Sequence, residues 1–267
     1  MPVEAVTATY TQQVDRLAAE TRKRLLRIWD SCAPWSETDI DRFHDIAEPL
    51  IRAAAQAGAD LSATYLEHVL PDVALREVSP LLVDDAAARL YDPSDRIGKL
   101  INSGSTFDEA TVSARSVVDT LGHNTVYDSA RQATAEIAIG HTEWTRQVGP
   151  KCCDWCLSFA GEVWYSAAGA GFGHDNDKCL AVPTSTAGDS NQQAIEAAGG
   201  QVQVKKYKQA NSLRRSEKTA RRNSEQARKD GLIETDPARK ERPSIREQEW
   251  ETRAERAAER LQLLTAP

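Results

Sequence analysis

Between Trp144 and Pro183 the chain reads W-T-R-Q-V-G-P-K-C-C-D-W-C-L-S-F-A-G-E-V-W-Y, passes an Ala/Gly-rich loop, and resumes as H-D-N-D-K-C-L-A-V-P; four of the five cysteines fall inside this stretch. Cys153 and Cys156 form a C-x2-C pair, and His174 and Cys179 form an H-x4-C pair after an interval of 17 residues. That interval is within the range of small zinc modules. Two intervening residues let a tight turn aim both thiolates at one tetrahedral point, and the second pair then closes the site from a neighbouring strand. The spacing therefore predicts a structural zinc on Cys153, Cys156, His174 and Cys179. The competing reading is a set of buried or unpaired thiols with an ordinary loop histidine. Cys152 is an alternative ligand in a shifted register or a thiol packed on the core, and His141 is the other histidine close to the stretch. From Gly161 to Tyr165, Val163 and Tyr165 alternate with Glu162 and Trp164, the pattern of a half-buried strand after a turn.

The same stretch resembles the C-terminal segment of the MuF-like head-morphogenesis proteins, the minor head proteins of tailed phages, especially those of phages infecting actinobacteria. Residues carrying the resemblance are Trp144, Arg146, Val148, Cys153, Cys156, Gly161, Val163, Tyr165, His174, Cys179, Val182 and Pro183. The chain departs from the pattern at Cys179-Leu180-Ala181, where many relatives carry Cys-x-Cys, and in a longer His-to-Cys spacing. The resemblance implies a head-assembly protein inside the shell or near the portal, made in the host cytoplasm, with portal or major capsid subunits as partners. Members of that group are also commonly labelled capsid maturation proteases, so proteolysis of head proteins is the alternative function.

Upstream, apolar residues at Val3, Val6, Tyr10, Val14, Leu17, Leu25, Ile28 and Trp29 predict one amphipathic helix of about seven turns, ended at Cys32-Ala-Pro-Trp35. Ser36 and Asp39 form a capping box for a second helix, and Gly58 with Asp60 predicts a restart into a third that stops at Pro71. Short helices follow over 86–91 and 96–101. Thr106 and Glu109 cap another helix, which Gly122 is expected to interrupt before a last one at about 124–139. Residues 1–140 thus read as an antiparallel helical array, and 141–183 as a small β-containing, zinc-knuckle-like module. Residues 184–204 read as a polar linker with a short helix at 192–198 ended by Gly199-Gly200. The remaining 205–267 read as a charged helical arm. The fold class expected is mainly α.

Charge divides along the same lines. Residues 205–230 carry ten Lys/Arg against three acidic residues, a local +7, whereas 1–204 carry −13 within a chain whose total is −7. An acidic body and a basic arm face different partners. The arm's Lys205, Lys206, Lys208, Arg214, Arg215, Lys218, Arg221 and Arg222 are candidate contacts to the phosphate backbone of DNA, without base reading. The bland alternative is a solvated helix whose charges meet the acidic body. Beyond Pro243, Ser244 and Glu247 predict a cap for a final helix with Trp250, Ala254, Ala257, Ala258, Leu261 and Leu264 on one stripe. Nothing approaches the ~18 consecutive apolar residues of a membrane span, and Met1-Pro-Val-Glu4 has neither a basic start nor an apolar signal region. A cytosolic protein without membrane contact is therefore expected. Cysteines clustered at ligand spacing fit a reducing compartment and a metal better than a disulfide framework.

For catalysis the sequence offers no G-x-S-x-G and no H-E-x-x-H, and His44, His68, His123 and His141 are scattered on predicted helices or their ends. Four protein ligands would make a zinc site closed and structural, since catalytic zinc keeps a position for water. A binding protein is the expectation, with a capsid maturation protease and a free-standing, nonspecific DNA-binding zinc protein as alternatives.

Overall fold

The computed structural model describes residues 2–33, 35–71, 78–79, 81–137, 143–148, 152–165, 167, 178–187, 189–232 and 250–259. The chain divides into two compact units, Met1–Cys152 with Ala160–Ala194, and Cys153–Phe159 with Ile195–Pro267.

The first unit is built on three long helices, α1 (Val3–Ser31), α2 (Glu37–Val69) and α5 (Phe107–Ile137). Two shorter helices, α3 (Leu81–Ala88) and α4 (Asp92–Asn102), are joined by a 3-10 turn at Arg89–Tyr91. The capping boxes predicted from sequence are formed: the Ser36 amide donates to Asp39 at 2.9 Å, and Thr106 and Glu109 exchange bonds at 2.9 and 3.3 Å. Trp35, just past the end of α1, folds back so that Trp29, Trp35 and Phe43 form one aromatic cluster with centroids 4.1 to 6.3 Å apart.

Both expected glycine breaks are absent from the helices. α2 runs through Pro49 and Gly58, and α5 runs through Gly122. The reason is tertiary. A Cβ on Gly58 would lie 2.8 Å from the Val126 carbonyl oxygen, and one on Gly122 would lie 2.7 Å from the Arg22 Cα. These glycines are where helix backbones cross at closest approach, and the packing gained outweighs the roughly 1 kcal/mol of helix propensity that glycine costs.

Nor is the array antiparallel throughout. α1 opposes α5, with Tyr127 bonded to Asp15, Arg22 to Asp119 at 2.5 and 2.7 Å, and Arg115 to Asp30 at 2.8 and 2.9 Å. α2 and α5 run the same way, since Gly58 meets Val126 and Ser62 meets Ala130. The segment holding α3 and α4 makes this possible by returning the chain. The exposed ion pairs add little stability, each on the order of 0–1 kcal/mol.

The core carries two hydroxyl chains that end on backbone carbonyls; since Ser62 and Thr186 donate to those carbonyls, each takes its other bond from a tyrosine hydroxyl. The Tyr10 hydroxyl donates to Ser62 Oγ (2.8 Å), which donates to the Ala130 carbonyl (2.9 Å). The Tyr65 hydroxyl donates to Thr186 Oγ1 (2.8 Å), which donates to the Pro183 carbonyl (2.9 Å). Tyr10 and Tyr65 stack with centroids 4.3 Å apart. Burial pushes the Tyr10 phenol up to about 12 and the Tyr65 phenol in the same direction, so both stay neutral donors.

The sheet has the order β2-β1-β3, all antiparallel, with β1 (Trp144–Gln147) central between β2 (Val163–Trp164) and β3 (Leu180–Pro183). Trp144 pairs with Trp164 on one side and Pro183 on the other. All four β1 residues are buried, Arg146 included. On β2 it is Trp164 that packs on the core, while Val163 and Tyr165 are exposed, Tyr165 at 84 %. Within residues 184–204 the short helix expected at 192–198 is present as α7 (Ser190–Ala197), and a 3-10 turn (Thr184–Thr186) precedes it. Gly199 and Gly200 end α7 with φ of 94° and 86°, left-handed conformations that favour glycine.

In the second unit a four-residue helix, α6 (Asp154–Leu157), meets the long helix α8 (Gln201–Leu232). A further helix, α9, covers 250–259 with Ala254 and Ala257 buried as its stripe predicts. Ser244, Leu261 and Leu264 lie outside the described residues.

Candidate functional site

The C-x2-C pair sits at the start of α6. Cys153 is its N-cap, with extended backbone, and its Sγ accepts the Cys156 amide at 3.4 Å. Cys156 is buried at 2 % exposure, and Cys153 is exposed as a residue. Burial of the sulfur raises the Cys153 thiol, and the Cys156 amide acts in the opposite direction. The turn thus places one amide N–H on the Cys153 sulfur and the second cysteine three residues further on.

This turn is held by the basic helix, which the sequence reading had placed in a separate arm. Asn211, buried on α8, donates to Ser158 Oγ at 3.2 Å and to the Asp154 carbonyl at 3.4 Å. Arg214 donates to Asp154 Oδ2 at 3.2 Å and to Asn211 Oδ1 at 3.0 Å. Arg215 lies over the rings of Phe159 (5.4 Å) and Trp155 (5.8 Å), which meet edge to face. Of the eight basic residues predicted to contact phosphate, all are exposed, but Arg214 and Arg215 are engaged with the turn and Arg221 pairs with Glu217 at 2.9 Å. Lys205, Lys206, Lys218 and Arg222 are exposed along the same helix, as is Lys208, which also lines a groove described below.

Cys179 belongs to the first unit, just before β3, and is buried. Its carbonyl accepts Arg131 Nε at 2.9 Å, and Arg131, itself only 6 % exposed, is braced by Asp128 at 2.8 Å and by the Tyr127 ring at 5.4 Å. The first unit thus fixes the backbone at Cys179 from α5. His174 and His141 lie outside the described residues. Among the described residues no cluster of three or more His, Cys, Asp or Glu converges on a metal position.

Three positioning residues escaped the sequence reading: Asn211, Asn191 and Arg131. Asn191 accepts the Val148 amide at 3.0 Å, tying the end of β1 to α7. Asn211 follows Ala210 in the stripe Val204, Ala210, Ala220 that α8 buries. An amide within an apolar stripe is a readable sign of a buried hydrogen-bond site.

The remaining described histidines have structural partners. His68 Nδ1 meets the Thr64 carbonyl at 2.8 Å, and His123 stacks on Tyr127 at 4.8 Å. His44 Nε2 lies 3.0 Å from Ser94 Oγ, with Tyr91 against the ring edge. That is nucleophile-to-base distance, although no carboxylate bonds the other ring nitrogen among the described residues.

The chain belongs to the VG15 protein family, whose model matches residues 1–210, and it is accordingly a phage-related protein. The match covers the helical body, the whole 144–183 stretch and the start of α8. No curated protein and no solved structure matches the chain. No described helix is long and apolar enough to cross a membrane.

Proposed function

We propose that this chain is a minor head protein of a tailed phage, acting by binding during head assembly. In this reading the helical body contacts portal or major capsid subunits, α8 offers Lys205, Lys206, Lys218 and Arg222 to the backbone of packaged DNA, and the chain stays in the virion. Cys153, Cys156, His174 and Cys179 hold one structural zinc. What carries the reading is that the family match runs through the entire cysteine stretch on which the resemblance to minor head proteins rests. Mass spectrometry of purified virions tests it: peptides of this chain are expected at a fixed ratio to portal subunits. Virions that lack them would overturn the assignment.

A second reading, capsid maturation protease, has one observation in its favour, the 3.0 Å approach of Ser94 Oγ to His44 Nε2. A serine activated by a neighbouring imidazole is the minimum such chemistry needs. The binding reading is preferred because the Ser94–His44 pair has no acid to orient the imidazole among the described residues, and α4 places Ser94 in its first turn.

A further inference from the structure

Within the second unit, α8 and α9 run side by side, with Ser224 donating to Glu251 at 3.5 Å, and between them lies a groove of about 700 Å³ whose lining includes Phe159. Lys208 and Arg215 reach it from α8, Trp250, Arg253 and Arg256 from α9. Among the described residues its lining holds four cations and no carboxylate. The stacking pattern specifies what those cations can do. Arg215 lies over the Phe159 and Trp155 rings, and Arg253 lies 4.6 Å over the Trp250 ring. Aromatic rings occupy the guanidinium faces, so the edges, where the N–H donors are, remain for an acceptor. Among the described residues neither these two arginines nor Arg256 has a carboxylate partner.

We propose that this groove binds the phosphodiester backbone of a single nucleic-acid strand, with phosphates on the arginine edges and bases against the apolar floor. Arginine edges in a fixed fork match phosphate oxygens bidentately, and aromatic rings beside cations are the usual surface for an unstacked strand. A groove of about 700 Å³ suits a few nucleotides of one strand, the site size of small single-strand binders being ~4–16 nucleotides. The proposal deepens the DNA contact proposed above and is separable from it, because the residues differ: Lys205 and Lys206 do not line the groove.

Fluorescence anisotropy on the full chain tests it, with a labelled ~30-nucleotide oligothymidine strand, the matching duplex, and a polyglutamate peptide as competitor at ~100 mM salt. The expected result is that the single strand binds more tightly than the duplex. Arg215→Gln with Arg253→Gln should weaken it about tenfold and lower the salt slope by roughly 1.4, the value for two phosphate contacts to a single strand. Arg256→Gln, which touches no ring and so leaves the packing alone, should weaken it several-fold with an unchanged thermal transition. The proposal fails if groove variants bind the strand as the parent does. If only Lys205→Gln with Lys206→Gln lowers affinity, the groove is wrong while the DNA contact stands. Equal affinity for duplex and strand also contradicts it, as does polyglutamate displacing the strand at equal charge, which would make the groove an acidic-peptide site.

Discussion

Gly122→Ala is expected to destabilise the first unit by about 1–3 kcal/mol, the range for overpacking a well-fitted interior, and to lower its midpoint of thermal unfolding by roughly 2–12 °C. In a solvent-facing helix the same change would stabilise by up to ~1 kcal/mol, so the sign of the effect reports the environment. The new methyl carbon would fall 2.7 Å from the Arg22 Cα and 3.2 Å from its amide nitrogen, both backbone atoms that move only if α1 moves. Gly58→Ala should behave alike, against the Val126 carbonyl at 2.8 Å. Gly98→Ala on α4 is the control, since nothing lies within 4 Å of its added carbon, and it should be neutral or slightly stabilising. Thermal and urea unfolding of the three variants decides the matter. A Gly122→Ala chain as stable as the parent would mean that α1 and α5 do not cross this closely.

These glycines also mark where the sequence stopped being informative. Helix ends written in local chemistry were readable: the break after Ser31, the boxes at Ser36 and Thr106, the Gly199-Gly200 stop. Gly58 and Gly122 carry the same local signal as a break, and only the neighbour across the crossing gives them their role. α5 was harder still, because its buried positions include Thr111, Thr125, Ser129 and Thr134 as well as apolar residues. Thr111, Thr125 and Thr134 satisfy their hydroxyls on carbonyls three or four residues earlier, at 2.8 to 2.9 Å, which lets a polar residue be buried without a partner from elsewhere. A period count treats such positions as exposed.

In the cysteine stretch the residue pattern showed one strand over Gly161–Tyr165, within which β2 falls, whereas β1 and β3 have no such alternation to read. The burial of the β2 faces was not legible, since Trp164 and not Val163 meets the core. Nor was the seating of the C-x2-C turn on α8, which depends on Asn211 and Arg214, more than 50 residues further along the chain. Cutting the chain near Val204 would therefore remove the platform of the turn, although the first unit has its own core.

Cys156→Ser is expected to abolish zinc binding, taking the metal content from about one per chain to near zero, and to disorder the turn on α8. Apparent binding energies of roughly 10 kcal/mol or more are coupled to folding in small zinc sites, so the loss should exceed that of any core truncation, commonly about 2–5 kcal/mol. A chelator should reproduce it in the parent chain. Cys153→Ser should match Cys156→Ser, whereas Cys152→Ser should keep the metal. The reverse order would assign the ligand to Cys152. Elemental analysis of protein purified without added zinc gives the count, and a folded cysteine turn with almost no metal would remove zinc from the account.

As a minor head protein of the kind proposed, the chain assembles heads by binding and cuts nothing. Gels of heads assembled with Ser94→Ala test it most directly, because Ser94 faces His44 from the surface of α4 and its loss should leave the fold intact. The prediction is head proteins processed as with the parent chain. Accumulation of unprocessed head protein, with Ser94→Ala folded and incorporated, would contradict it and assign catalysis to the Ser94–His44 pair.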